Sequence, residues 1–334
     1  MTNYSKIMFF SIMIMSTMLT MSSESWFGMW MGLELNMVSF TPLIYKEKMK
    51  STYESCMIYF LIQSLGSIIM LFSVLVNSFS MNSPYMGEEL LSAALATSML
   101  MKMGAPPFHF WFPEILEKMA WPECFILMTW QKVAPMYIMS HIINMTQYLI
   151  YLVIPMMVIT GSAGGLSQTS IRKIMSYSSM DHMGWMIMCM KFYNSMWIFY
   201  FSIYTIILAS MIFTFWFHST YYINQYSTMN MPYMEKITIL ILFLSLGGLP
   251  PFLGFIPKFI VIQLMILFQS YSLAIILVLT TLITLFYYLR LISSMLLLNS
   301  STVKWIYQEG MSMASLSIIT TTNLLFPILG LFWL

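Results

Sequence analysis

The chain of 334 residues is 59% hydrophobic and 8% charged, with a mean hydropathy of +0.79, whereas soluble globular domains carry about 25% charged residues. Those values describe an integral membrane protein and leave no stretch for a soluble domain. The net charge of +2 comes from dispersed basic residues, which excludes a nucleic-acid surface, and Cys56, Cys124 and Cys189 form no Cys-x-x-Cys pair that would hold an iron–sulfur cluster or zinc.

Apolar stretches long enough to cross a roughly 30 Å hydrocarbon core as helix recur about eleven times, at roughly 7–22, 26–45, 55–79, 89–112, 121–144, 147–165, 170–190, 195–218, 237–268, 271–298 and 314–334. The predicted fold is an all-α membrane protein, a single transmembrane domain over 1–334. No cleavable signal is read at the start: Ile7 to Thr20 run directly from Lys6 into the first span, with no Arg-rich transit segment. That pattern, with 39 methionines, points to a bacterial chain or one made inside an organelle. Lys6, Lys46, Lys48, Lys50, Lys118, Arg172, Lys173, Lys236 and Lys304 fall on one side of the predicted membrane and Lys191 on the other. The positive-inside rule then places the N-terminus on the cytoplasmic or matrix side and the C-terminus opposite. Trp26, Trp121, Trp197 and Trp305 fall near span ends, as interfacial aromatics do.

One phrase occurs twice. Gly104-Ala105-Pro106-Pro107-Phe108-His109-Phe110-Trp111-Phe112-Pro113-Glu114 returns 144 residues later as Gly248-Leu249-Pro250-Pro251-Phe252-Leu253-Gly254-Phe255-Ile256-Pro257-Lys258. Both read Gly-x-Pro-Pro-Phe-x4-Pro followed by a charge. Proline lacks an N–H and clashes with the preceding turn, so each copy predicts a broken helix. Freed backbone inside hydrocarbon needs protein or water partners, which makes a repeated break a pointer to an internal polar pathway. The breaks fall in the fourth and ninth spans, so the unit is five helices, and five being odd, the second copy is inverted. Helices 1–5 (6–144) and 6–10 (147–298) are read as an inverted repeat, followed by a loop and a C-terminal helix over 299–334. The alternative is two separate kinks in a proline-tolerant protein.

Ionisable residues within spans are expensive, about 2.5–3.5 kcal/mol each at a helix centre. Four stand out. Glu34 is about eight residues into the second span, or roughly 12 Å. Lys102 lies just before the first break, Lys132 sits mid-span within Trp130-Gln131-Lys132-Val133-Ala134-Pro135, and Lys258 closes the second break. A lysine beside a carboxylate can be switched between holding and releasing a proton, so the row suits proton transfer. The alternatives are a static Glu34–Lys102 ion pair and a Lys132 that snorkels to an interface. Further candidates are His109, which follows the first break and either relays protons or bonds to broken backbone, and Asp181 and His182, roughly where Glu34 falls in the first repeat. Arg290 reads as a headgroup or packing arginine, and His141 and His218 as interfacial. No Gly-x-Gly-x-x-Gly or P-loop is present, so redox and nucleotide chemistry are assigned to partner chains.

Several motifs resemble the antiporter-like membrane-arm subunits of respiratory complex I, the mitochondrial NADH–ubiquinone oxidoreductase. They are Ser25-Trp26-Phe27-Gly28 with Gly32-Leu33-Glu34-Leu35-Asn36, Lys102-Met103-Gly104-Ala105 with Pro107 to Pro113, and Met128 to Pro135. Gly164 to Lys173, Ser178-Ser179 with His182-Met183-Gly184-Trp185, and Leu246 to Pro251 with Gly254 to Lys258 complete the set. The resemblance covers nearly the whole chain, fading after about residue 295. It implies a proton-translocating subunit in the mitochondrial inner membrane, stacked between antiporter-like siblings and lipid, in which Glu34 pairs with Lys102 and Lys132 and Lys258 continue a hydrated axis. It also implies no cofactor in this chain, with NADH, FMN, iron–sulfur clusters and ubiquinone on partner subunits. Two positions depart from the family pattern: Pro106 replaces a usually small residue, and Asp181 stands where a neutral residue is usual. A stand-alone cation/proton antiporter and a non-pumping spacer of the membrane arm are the alternatives.

Overall fold

The computed structural model describes residues 3–45, 50–79, 87–143, 145–228, 231–297 and 311–331. Lys46, Lys48, Lys304 and Trp305, used above for orientation, lie outside the described residues. Every described element is an α-helix, apart from a single isolated bridge between Ser170 and Tyr222. A spanning chain in lipid must satisfy its backbone internally, which helices do within one segment. The helices are α1 (Asn3–Ser22), α2 (Trp26–Ile44), α3 (Lys50–Phe79), α4 (Gly87–Met103), α5 (Trp111–Lys118), α6 (Trp121–Met128), α7 (Trp130–Ile142) and α8 (Gln147–Leu166). They continue with α9 (Ile171–Phe192), α10 (Met196–Phe217), α11 (Ile223–Thr228), α12 (Tyr233–Gly247), α13 (Phe255–Leu267), α14 (Tyr271–Leu297) and α15 (Met313–Leu331).

Among the described residues, α1, α3, α8, α10 and α14 are long and apolar enough to cross a membrane by themselves. The other predicted spans are also helical, but three of them are divided, and α11 is additional. The expected continuous span over 121–144 is one of the three. It is interrupted at Thr129, whose hydroxyl donates to the Phe125 carbonyl at 2.6 Å. Such back-bonding to the preceding turn bends helices. Lys132 then donates its N–H to Thr129 rather than to the residue four back, at 3.0 Å.

The two breaks anticipated from the repeated phrase are present, with a different cause from the one expected. Glycine ends each first half, and the prolines follow it. Gly104 (φ +70°) and Gly248 (φ +79°) occupy the left-handed region that other residues enter at a cost. Ala105 N–H reaches back to Leu100 O at 2.9 Å and Gly104 N–H to Met101 O at 3.2 Å. In the second break Leu249 N–H reaches Leu244 O at 3.3 Å and Gly248 N–H reaches Ser245 O at 3.0 Å. Both are the glycine-terminated helix end in which two N–H groups turn back onto the last turn, with proline shortly beyond. The correspondence continues: Phe108 N–H to Ala105 O is matched by Phe252 to Leu249, and Phe112 N–H to His109 O by Ile256 to Leu253. Helix resumes at Trp111 and at Phe255, with Pro113 and Pro257 each three residues in.

The chain divides into two compact units, Met1–Met156 and Met157–Leu334, with the boundary inside α8. In the first, α3 packs on α2, α4 and α5, and α7 packs on α4 and α6. In the second, α12 packs on α10, α14 and α15, and α13 on α9 and α14. Trp121 and Trp197 begin helices as expected but are buried within the chain, so they pack rather than anchor. Arg290, on α14, donates to the Leu166 and Gln168 carbonyls and so caps the C-terminal end of α8, the packing role of the two read for it. Ile275, Leu279, Leu282, Phe286 and Leu289 form one exposed apolar stripe on α14, the face a membrane helix turns toward lipid or another chain.

Candidate functional site

Of the ionisable residues singled out from the sequence, Lys102, Lys132, Lys258 and His109 lie at helix interruptions, whereas Glu34, Asp181 and His182 lie within uninterrupted helices. In the first unit, Lys102 occupies the last turn of α4 and is 6% exposed, and Lys132 occupies the first turn of α7 and is 2% exposed. Glu34 on α2 is half-buried, and its carboxylate acts electrostatically on the Lys102 ammonium. No direct ion pair joins the two among the described residues, so the interaction is through space.

The α3 helix builds the seat for Lys102. Its buried face carries Tyr59, Gln63, Gly66, Met70 and Ser73, spaced by three or four residues. Gly66 leaves room for the lysine stem: a Cβ there would lie 3.0 Å from Lys102 Cγ. Gln63 Nε2 donates to the Lys102 carbonyl at 3.0 Å, one of the acceptors that the helix end leaves open. Tyr59 donates its hydroxyl to Gln131 Oε1 at 3.2 Å, and Gln131 Nε2 donates to Asn36 Oδ1 at 3.0 Å. A buried polar chain therefore ties α3, α7 and α2 together beside Glu34 and Lys132. Lys132 Nζ lies 5.0 Å from the centre of the Phe112 ring, a cation–π distance. His109, in the loop of the first break, is half-buried against Phe110 and near the Pro107 carbonyl. Among the described residues no hydrogen bond joins it to Lys102.

In the second unit, Lys258 lies in the first turn of α13 and is 5% exposed. Its Nζ donates to the Gly247 carbonyl at 3.0 Å, so this lysine itself satisfies the end of α12. Its stem crosses Gly248, where a Cβ would lie 2.8 Å from Lys258 Cδ. The Nζ also lies 5.7 Å from the centre of the Trp185 ring on α9. Asp181 and His182, on the same helix, are both buried. Asp181 and Lys258 interact electrostatically, and His182 Nδ1 is 2.9 Å from the Tyr200 hydroxyl. A helix C-terminus favours a cation and an N-terminus disfavours one, so Lys102 sits at the favourable end of its half-helix and Lys132 at an unfavourable one, while Lys258 starts α13 but places its ammonium on the favourable C-terminal end of α12.

The residue pattern and the fold each match known proteins. Residues 23–284 match the NADH:quinone oxidoreductase/Mrp antiporter transmembrane family. The chain belongs to that family. NADH-ubiquinone oxidoreductase chain 2 of Locusta migratoria is 40% identical over 329 residues, covering 97% of this chain and 96% of its own length. The Aedes aegypti protein of the same name is 41% identical over 328 residues, 97% of this chain and 95% of its own. The fold is also that of a chain of respiratory complex I from Thermus thermophilus, with TM-score 0.83, 18% identity, and 98% of this chain and 78% of that chain covered. A chain of the Mrp complex from a Dietzia species aligns with TM-score 0.77 at 14% identity, over 85% of this chain and 59% of that chain. The family resemblance drawn from the motifs is thereby established.

Two groups with chemical weight went unremarked in the sequence, and a third was misread. Gln63 and Tyr59 were legible only as part of the buried stripe on α3. The tyrosines Tyr200, Tyr204, Tyr287 and Tyr288, all buried around Asp181 and His182, had no motif. His218, read above as interfacial, is instead buried, with Nε2 3.3 Å from Glu235 Oε2. Glu235 Oε1 also accepts the Met311 N–H, joining α10, α12 and the segment before α15.

Proposed function

We propose that the chain is a proton-translocating membrane-arm subunit of a respiratory NADH:quinone oxidoreductase in the mitochondrial inner membrane, driven by electron transfer in partner chains. The observation that carries this reading is a buried lysine at a glycine-terminated helix break with a carboxylate acting on it, in a chain of this family. The carboxylate sets how firmly the lysine holds its proton, so changing that carboxylate's position or protonation moves the lysine between states. Glu34, Lys102, Lys132 and Lys258 form the proton route. His109, Asp181 and His182 are its further members, of which Asp181 and His182 have the better placement.

The four backbone hydrogen bonds that recur in both breaks support an inverted five-helix repeat, helices 1–5 over 6–144 and 6–10 over 147–298, with about eleven crossings in all. In this reading the N-terminus faces the matrix and the C-terminus the intermembrane space. The partners are antiporter-like siblings and lipid, and NADH, FMN, iron–sulfur clusters and ubiquinone belong to other subunits. Moving a charge across the membrane costs about 2.3 kcal/mol per 100 mV, so protonation must follow a partner's state.

The test is Lys102→Met in the assembled complex. Assembly should be normal, because the partner Glu34 is only half-buried, while the proton yield per electron falls by this subunit's share. Unchanged proton yield would make the chain a spacer. Full cation/proton exchange by the isolated chain in liposomes would make it a stand-alone antiporter.

A further inference from the structure

Asp181 is a carboxylate in the interior of α9, with no charged residue of its own helix within a turn of it. It is 2% exposed, and its Oδ1 is enclosed with no hydrogen-bond partner. A buried carboxylate is retained when a positive charge compensates it. The compensating cation is Lys258, from α13, which packs on α9 and places its ammonium over Trp185, one turn along from Asp181. The remaining groups that face Asp181 are neutral phenols: Tyr200 from α10, and Tyr287 and Tyr288 from α14. On α9 itself, the adjacent His182 is hydrogen-bonded to Tyr200. Lys258 spends one donor on the Gly247 carbonyl, and an ammonium has three. No direct ion pair joins the two among the described residues, so they act on each other through space, with Asp181 Oδ1 open and spare donors on a lysine whose helix packs against α9.

We propose that Asp181 is the counter-carboxylate of Lys258, giving the second unit a carboxylate–lysine pair of its own. On closing to hydrogen-bond distance the pair exchanges a proton: an N–H bond of the Lys258 ammonium breaks, an O–H bond forms on Asp181 Oδ1, and a neutral amine faces a neutral acid. No electron moves and no co-reactant is needed. The neutral pair is the state in which a buried site carries least charge, and the phenols around it provide the polar wall that tolerates either state. This inference rests on the reading of the chain as a proton carrier.

Asp181→Asn and Lys258→Gln, singly and together, in the assembled complex reconstituted in liposomes, provide the test. Expected are a severalfold lower proton yield per electron for D181N, recovery of most of it by D181E, and a double variant no worse than either single one. Infrared difference spectra between oxidised and reduced complex should show a carboxyl band in the wild type that is absent from D181N, a change that a purely structural aspartate would not produce. Wild-type pumping by D181N with loss in K258Q would overturn the pairing and leave the proton-carrier reading standing. Wild-type pumping by both single variants would overturn that reading for this unit as well. Should D181N fail to assemble, the double variant decides: recovered assembly identifies two mutually compensating charges, and continued failure overturns the pair.

Discussion

The two helix breaks share a backbone and differ in what finishes it. In the first, the open carbonyl of Lys102 is held by a neutral amide, Gln63 on α3, and the lysine head is left for Glu34 to act on. In the second, the open carbonyl of Gly247 is held by the ammonium of Lys258. One lysine is therefore relieved of structural duty and the other carries it. The same helix-ending geometry can thus serve a lysine whose head is separable from the fold and one whose head is part of it, an N–H donor to the Gly247 carbonyl whether ammonium or amine.

The sharpest way to break that contrast is Lys258→Met. It removes a backbone partner and leaves Asp181 buried without compensation, and breaking such a pair from one side costs about 3–5 kcal/mol. Assembly yield and thermal stability should both fall, unlike those of Lys102→Met. Next come the glycines. Gly104→Ala and Gly248→Ala each force an alanine into the left-handed region, at roughly 1–2 kcal/mol, with Cβ 2.9 Å from Phe112 Cβ in the first and 2.8 Å from Lys258 Cδ in the second. Melting temperatures should drop in both, and only Gly248→Ala should also lower proton yield by displacing its lysine directly. Gln63→Leu leaves the Lys102 carbonyl unpaired, at about 1–3 kcal/mol. The loss should appear in stability first and in pumping only as far as α4 frays. Gly66→Ala is the mildest, a Cβ at 3.0 Å from a flexible lysine stem. A stability change below about 1 kcal/mol is expected, with a measurable effect on proton yield confined to the first unit's pair.

What the sequence disclosed, and what it hid, follows from how each feature is encoded. Composition and apolar run length gave the helices, since a chain in lipid has few other ways to satisfy its backbone. The repeated phrase located both breaks, yet the prolines drew the reading away from Gly104 and Gly248. Proline is read as a breaker, whereas here the helix has already ended when proline arrives. Thr129 was missed because a side-chain hydroxyl bonding to its own preceding turn leaves no pattern in hydropathy. Glu34, Lys102, Lys132 and Lys258 were visible as charges against an apolar background. Their neutral neighbours were not: Gln63 and the tyrosines around Asp181 acquire meaning only when three helices bring them together. His218 was misplaced for a related reason, since proximity to a span end says nothing of a carboxylate on another helix.

The C-terminal helix looks from the sequence like an appendage to the repeat. Its Asn323 carbonyl accepts the Leu253 N–H, inside the loop of the second break, and the Met311 N–H just before it bonds to Glu235 at the start of α12. The tail therefore clasps both halves of the interrupted helix, as a splint holds a fracture at a fixed opening. A stop codon or frameshift near the end of the chain would remove no ionisable member of the second pair, yet would loosen the opening that sets the distance between Lys258 and the carbonyl it holds.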